Sequence, residues 1–185
     1  LRQINFPESL QSIGAYAFEF CPLTSVVLPE ATTELDWGVF AYCDNLSSVQ
    51  LASGTKVLSS QLFRDCDNLK EFIISKNITQ IDTDAFMNCP AVLTVEADNP
   101  HFVILEGCLV EKNTMTMLSY PRTNARSFTV PEGIRVLGGA LKCSNFEEII
   151  LPSSLRAFND WSFFQCSNLK EIVIPDGVTT LDNDL

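Results

Sequence analysis

The sequence predicts a repeat solenoid in which each unit of about 23 residues contributes one short parallel strand followed by a turn or short helix. The first observation is a column of cysteines whose successive spacings are 22, 23 and 23 residues: Cys21, Cys43, Cys66 and Cys89. The second is a short apolar triplet, such as Phe72-Ile73-Ile74, that returns at the same interval. The third is a phenylalanine three residues before each of these cysteines and before Cys166: Phe18, Phe40, Phe63, Phe86 and Phe163.

Each apolar triplet predicts a strand with two different faces. Side chains alternate along a strand, so the first and third residues point to one side and the middle residue to the other. A proline often closes the triplet, as Pro29 and Pro175 do, and a second apolar pair follows. Turn residues such as Gly14 and Asp82 come next, and they favour a tight turn or a short, capped helix. A single unit cannot bury its apolar side, but stacked units bury one another.

One interval departs from the period. From Val95 to Val130 there are 35 residues, about 12 more than one unit. Its alternating segments HFVIL, CLV and TMTMLSY predict an inserted β-hairpin or meander that projects from the stack. We therefore expect a single repeat array over residues 1–185 with an irregular inserted repeat at 96–127. The array starts and stops within a unit, which indicates a fragment of a longer protein.

The repeat resembles the BspA-like leucine-rich repeat family. The pattern is carried by Ile13-Gly14, Ala17-Phe18, Cys21 and Leu23, and again by Ala85-Phe86 and Cys89. The resemblance implies a leucine-rich-repeat-like, right-handed stack in a protein that is secreted or displayed on the surface of a host-associated microbe. It also implies adhesin-like binding of host extracellular proteins, and it supplies no catalytic motif.

The composition of the chain argues against two kinds of partner, nucleic acid and the membrane interior. With 12 basic and 23 acidic side chains the formal charge is −11, whereas binding to nucleic acid requires clustered Lys and Arg. No apolar run approaches the roughly 20 residues that span a bilayer. A hydrophobic content of 46% is enough for a packed core. We expect neither nucleic-acid binding nor membrane insertion of this segment.

The residues that could support catalysis or bind a metal are better explained as scaffold. No close Cys-x-x-Cys pair is present for zinc, and His101 is the only histidine available to a catalytic triad. The acidic pairs Asp82/Asp84 and Asp182/Asp184 could suggest calcium, but the first member of each occupies the repeating turn position. We expect no metal, no cofactor and no enzymatic activity.

The seven cysteines allow two structural interpretations. Adjacent units of a stack lie close enough for disulfides, which an extracellular location would permit. Equivalent side chains in a stack, however, point in the same direction rather than at one another. Buried, unpaired thiols that act as small core residues are therefore the favoured interpretation.

The candidate binding site is the column of middle residues in the strands. Its expected members on the open face of the sheet are Val27, Gln50, Ile73, Thr94, Thr129, Ile150 and Val173. β-Branched residues favour any strand, which explains part of this column. An exposed apolar stripe, bordered by Glu71, Glu148 and Glu171, would instead mark a protein-binding face for a basic partner. Trp37 and Trp161 are alternative anchors.

These observations predict a non-enzymatic protein-protein interaction module of a secreted or cell-surface protein. The expected ligand is a host extracellular-matrix or serum protein, bound in an adhesin-like manner. A carbohydrate-binding module is the alternative, and it predicts exposed aromatic residues in a row, such as Trp37, Tyr120 and Trp161. A third possibility is a spacer region of a larger surface enzyme.

Overall fold

Every strand in the computed structural model, which describes residues 2–159 and 161–181, is two to four residues long. The chain divides into two units, Leu1–His101 and Phe102–Leu185. In each unit the short strands pair across successive turns of the chain, as a solenoid requires. The predicted repeat solenoid is therefore confirmed.

The first unit contains two strands per repeat. Its strands are β1 (Ser12–Ile13), β2 (Ser25–Val27), β3 (Glu34–Leu35), β4 (Ser48–Gln50), β5 (Val57–Leu58), β6 (Glu71–Ile74), β7 (Gln80–Ile81) and β8 (Val92–Val95). The apolar triplets form the even-numbered strands, with β2 parallel to β4 and β6 parallel to β8. The second apolar pair of each repeat forms an odd-numbered strand, with β1 parallel to β3 and β5 parallel to β7. Each repeat of this unit thus has two hydrogen-bonded sides.

A column of phenylalanine rings fills the first unit. The ring of Phe40 stacks on those of Phe18 and Phe63 at centroid distances of 5.9 and 6.0 Å, and Phe63 stacks on Phe86 at 5.5 Å. Phe40 and Phe63 are completely buried. Because the repeat length is nearly constant, the same side chain returns to the same place in each turn, and like rings pack on like rings.

The third side of each repeat is a turn with an unusual backbone. Residues at positive φ recur four positions apart in the first unit: Tyr16 and Phe20, Gly38 and Tyr42, Gln61 and Asp65. Positive φ interrupts a right-handed helix, and the amide groups between these positions bond to the next repeat instead. Phe18 donates to the carbonyl of Val39 (3.0 Å), and Phe40 donates to that of Leu62 (3.1 Å). Of the turn-or-helix segments in the described part of the chain, only Gly139–Leu141 is helical, as one 3-10 turn.

The second unit begins with the inserted segment. Its strands are β9 (Phe102–Leu105), β10 (Cys108–Glu111), β11 (Thr116–Ser119), β12 (Ser127–Thr129), β13 (Val136–Leu137), β14 (Glu148–Ile150) and β15 (Ala157–Phe158). β10 pairs antiparallel with both β9 and β11, which confirms the predicted hairpin. β11 also runs parallel to β13, and β13 runs parallel to β15. The insertion is thus built into the strand stack of this unit.

The burial of the insertion differs from the projecting hairpin that the alternating pattern predicts. Cys108, Leu109 and Val110 of β10 are completely buried, and so is Met117 of β11. Cys108, Val110 and Met117 join Ile134, Leu137 and Leu141 in one hydrophobic core. The insertion stays in the unit because it has too many apolar side chains, on both faces of β10, to be left in water.

The phenylalanine column of the first unit generates a stability prediction. Replacing Phe40 with Ala leaves a cavity between two stacked rings and should lower the free energy of unfolding by about 3–5 kcal/mol. The matched change Phe20→Ala removes an exposed ring and should cost less than about 1 kcal/mol. Urea unfolding followed by circular dichroism measures both. Equal losses in the two variants would contradict the packing described here.

Candidate functional site

The middle residues of the triplet strands in the first unit project into solvent. Val27, Gln50, Ile73 and Thr94 are exposed. The neighbours of Val27 and Ile73 are buried, namely Val26, Leu28, Phe72 and Ile74, and those of Gln50 and Thr94 are half-buried. Val27 is 62% exposed and Ile73 is 66% exposed, although both side chains are apolar. Alternation along the strand produces this arrangement, because the buried neighbours hold the middle residue on the opposite face.

The register of the strands places these residues side by side. Val27 lies opposite Gln50 on β2 and β4, and Ile73 lies opposite Thr94 on β6 and β8. Glu71 lies opposite Val92, which is also exposed but is not among the predicted middle-column residues. Val92 stands two residues before Thr94, so the same period-2 alternation could have identified it.

The second unit presents the same kind of face. Thr129 lies opposite Ile150 on the paired strands β12 and β14. Ile149, which stands between the exposed residues Glu148 and Ile150, is buried. Ile150 is 49% exposed and Val173 is 73% exposed. These two apolar residues and the carboxylates Glu148 and Glu171 line a cleft of about 520 Å³. We use the name open strand face for the middle-column residues of the triplet strands within each unit.

Neighbouring glutamates on this face differ in whether basic residues of the chain neutralise their charge. Glu147 binds Arg126 (2.9 Å) and Lys170 (2.6 Å), so its charge is neutralised by the chain itself. Glu148 on β14 and Glu171 are exposed and are joined by an isolated parallel bridge, and neither makes an ion pair with a described residue. The triplet Ile172-Val173-Ile174 that follows Glu171 forms no strand, in contrast to the sequence prediction. Two carboxylates thus stand beside the apolar side chains of Ile150 and Val173.

The aromatic residues considered as anchors lie in different environments. Trp37 in the first unit is exposed. Trp161 in the second unit is also exposed, but the ammonium group of Lys142 lies over its ring at 5.6 Å. Tyr120 packs against Phe128 and Phe146 at about 5 Å between ring centroids, and burial raises the pKa of its hydroxyl. Within the second unit Tyr120 therefore forms part of the packing and not of an exposed aromatic row.

The cysteine column bonds one repeat to the preceding one. The thiol of Cys43 donates to the carbonyl of Phe18 (3.1 Å), and that of Cys66 donates to the carbonyl of Phe40 (3.1 Å). In the second unit the thiol of Cys166 donates to the carbonyl of Leu141 (3.1 Å). Burial raises the pKa of Cys43 and of Cys108 to about 12, and it raises that of Cys66 as well. These side chains act as weak donors and core packing, as a small buried residue does.

The remaining polar candidates have structural partners. The backbone amide of His101 donates to the side chain of Asn99 (2.8 Å). Asp82 and Asp84 accept hydrogen bonds from the amide and the hydroxyl of Ser60 at 2.9 and 3.1 Å, which explains this acidic pair. Asp182 and Asp184 lie outside the described residues. Within residues 2–159 and 161–181 no three His, Cys, Asp or Glu side chains approach closely enough to hold a metal ion.

The sequence of the chain matches the model of one known protein family. The model of the BspA type leucine rich repeat region matches residues 1–116 and 117–185, with six copies of the repeat. No curated protein sequence matches the chain. In the part that the structure describes, no helix has the length and apolar character needed to cross a membrane.

Solved structures of several bacterial proteins have the same fold. The pneumococcal vaccine antigen PcpA is 21% identical with a TM-score of 0.72, over 91% of this chain and 44% of the antigen. A leucine-rich repeat protein from Eubacterium ventriosum is 22% identical with a TM-score of 0.69, over 91% of this chain and 52% of that protein. A leucine-rich repeat protein from Bacteroides ovatus is 22% identical with a TM-score of 0.55, over 96% of this chain and 56% of that protein. The chain spans about half the length of these proteins, and at this identity the likeness shows the fold.

The thiol environments predict a selective labelling pattern. At pH 8 the buried cysteines Cys43, Cys66 and Cys108 should react with a maleimide at least about a hundredfold more slowly than the partly exposed Cys21, because the neutral thiol is favoured and access is blocked. Peptide mapping by mass spectrometry measures each site, and labelling in urea is the control. Equal labelling of all four sites in the native chain would contradict the assigned burial.

Proposed function

The chain belongs to the BspA-type leucine-rich repeat family, and from this premise we propose that it is a non-enzymatic protein-interaction module of a secreted or cell-surface protein. We further propose that residues 1–185 form one array with an irregular repeat at 96–127. The function of the array would depend on the display of a fixed binding surface and not on catalysis. Repeat arrays commonly bind partners on such extended surfaces.

One observation carries this proposal. Four large β-branched side chains are about half or more exposed: Val27, Ile73, Ile150 and Val173. The residues on either side of Val27 and Ile73 are buried, and those beside Ile150 and Val173 are buried or half-buried. Their exposure in water has no benefit for the folded chain, and exposed apolar residues grouped on one face mark interaction sites. Short, hydrogen-bonded strands also hold Val27, Ile73 and Ile150 in place before binding, which lowers the entropy lost when a partner docks.

The charges on the open strand face support a partner with basic residues. Glu71 in the first unit and Glu148 and Glu171 in the second stand beside the apolar positions. A partner surface that combines apolar side chains with Lys or Arg would complement them. We propose a host extracellular-matrix or serum protein as this partner, in adhesin-like binding.

Substitution of the apolar positions tests the proposal. A variant with Val27, Ile73, Ile150 and Val173 all changed to Thr keeps a β-branched side chain at each position but replaces a methyl group of Val, or the ethyl group of Ile, with a hydroxyl. We expect it to bind at least about tenfold more weakly to any host extracellular-matrix or serum protein that the native chain retains in a pull-down. Circular dichroism of both proteins checks that they fold.

A matched variant distinguishes this face from other surfaces. Changing Thr94 and Thr129 to Val extends the apolar column of each unit and should leave binding equal or stronger. Pairwise variants confined to one unit, Val27→Thr with Ile73→Thr and Ile150→Thr with Val173→Thr, locate the contribution of each. Equal retention by the native chain and the fourfold Thr variant would refute the open strand face as the binding site.

A further inference from the structure

A second exposed surface lies on the turn side of the first unit. The rings of Tyr16, Phe20 and Trp37 are 41%, 69% and 60% exposed. They belong to two successive repeats, since Tyr16 donates its amide to the carbonyl of Trp37 (2.9 Å). We name these residues, together with Tyr42, the turn-side aromatic surface. None of them belongs to the open strand face.

The rings are held in fixed positions by the repeat. Phe20 stacks on Tyr42 with 4.6 Å between centroids and 11° between planes. Tyr16 lies against the backbone of Gly38, where a Cβ atom would collide with the ring. Tyr16, Phe20 and Tyr42 all have φ near 57°, a conformation that is unfavourable for bulky side chains. Such ordered rings lose little conformational entropy when a ligand stacks on them.

The chain itself shows which ligand chemistry this side accepts. The guanidinium of Arg64 lies 5.1 Å from the centre of the Tyr42 ring, and its Nε atom binds the carboxylate of Asp65 at 3.1 Å. In the second unit, the ammonium of Lys142 lies 5.6 Å from Trp161 and 5.5 Å from Phe164. In both units a cation rests on an aromatic ring of the turn side, a favourable electrostatic contact.

Phe20 and Trp37 have no such cation from the described chain. Residues 3–55 contain no Lys, Arg or His, and they contain six carboxylates: Glu8, Glu19, Glu30, Glu34, Asp36 and Asp44. Five of the six are exposed, and none makes an ion pair with a described residue. Glu19 and Asp36 directly precede Phe20 and Trp37 in the chain. The exposed rings therefore stand in a segment of the chain whose charged side chains are all acidic.

We infer that the turn-side aromatic surface binds an arginine-rich segment of a partner protein. Arginine side chains would stack on Phe20 and Trp37 as Arg64 stacks on Tyr42, while carboxylates of the same segment, such as Glu19 and Asp36, neutralise their charge. Arginine fits better than lysine because its planar guanidinium stacks on rings and binds a carboxylate in the same orientation. The surface is thus independent of the open strand face, and variants of the two test separate claims.

A synthetic peptide tests the inference. Fluorescein-labelled nona-arginine is titrated into the 185-residue chain at 0.15 M salt and followed by fluorescence anisotropy. The double variant Phe20→Ala with Trp37→Ala should bind the peptide about 5- to 30-fold more weakly, since two cation–ring contacts are lost. The matched control Trp161→Ala removes a ring that already has its own cation and should bind as the native chain does. Nona-lysine should bind the native chain more weakly than nona-arginine.

A charge variant and a fluorescence measurement complete the test. If the double-ring variant fails to fold by circular dichroism, the charge variant Glu34→Lys with Asp44→Lys leaves the rings intact and should weaken peptide binding about tenfold or more. Equal affinity of the native chain and the double-ring variant would show that net charge alone attracts the peptide and would overturn the inference. Tryptophan fluorescence provides a second check, measured in a Trp161→Phe variant so that only Trp37 contributes. A shift on addition of a neutral oligosaccharide, with no shift on addition of nona-arginine, would also overturn the inference.

Discussion

Backbone hydrogen bonds between successive repeats are the constraint on which the other features depend. Leu28 donates to Gln50, and Phe40 donates to Leu62, at 2.9 and 3.1 Å. In the second unit Cys143 donates to Phe164 at 2.8 Å. Because these bonds fix the register of one turn on the next, a residue type that recurs in the sequence becomes a column in space. Phenylalanines stack into a core, and exposed side chains become continuous surfaces within each unit.

The period and the faces of the triplet strands could be predicted because both follow from simple geometry. Alternation requires that Val26 and Leu28 be buried if Val27 is exposed, and the structure has this arrangement. The second strand of each repeat was less predictable. Strands such as Ser12–Ile13 are only two residues long, which is too short for an alternation of apolar and polar residues to be recognised. The burial of β10 also escaped the sequence analysis, because alternation does not reveal a strand that is covered on both faces.

The two surfaces differ in how far the sequence reveals them. The open strand face follows from strand periodicity, and its exposed members were predicted by position. The turn-side aromatic surface depends on positive φ at Tyr16 and Phe20, and no propensity predicts that conformation for aromatic residues. A weaker signal existed: Phe20 occupies the position before the cysteine, where other repeats have Asp65 or Asn88. Polar residues at equivalent positions indicate that an aromatic residue there faces solvent.

Hydrogen bonds between repeats lock the turn side of the chain as firmly as the strands. Amide hydrogen exchange of the free chain, followed residue by residue by NMR, measures this directly. The amides of Phe18, Phe40 and Phe63 donate to the next repeat and should exchange as slowly as that of Leu28, which bonds between the triplet strands. Rapid exchange at the three phenylalanines beside a protected Leu28 would contradict the account, since the turn side would then not hold its side chains in fixed columns.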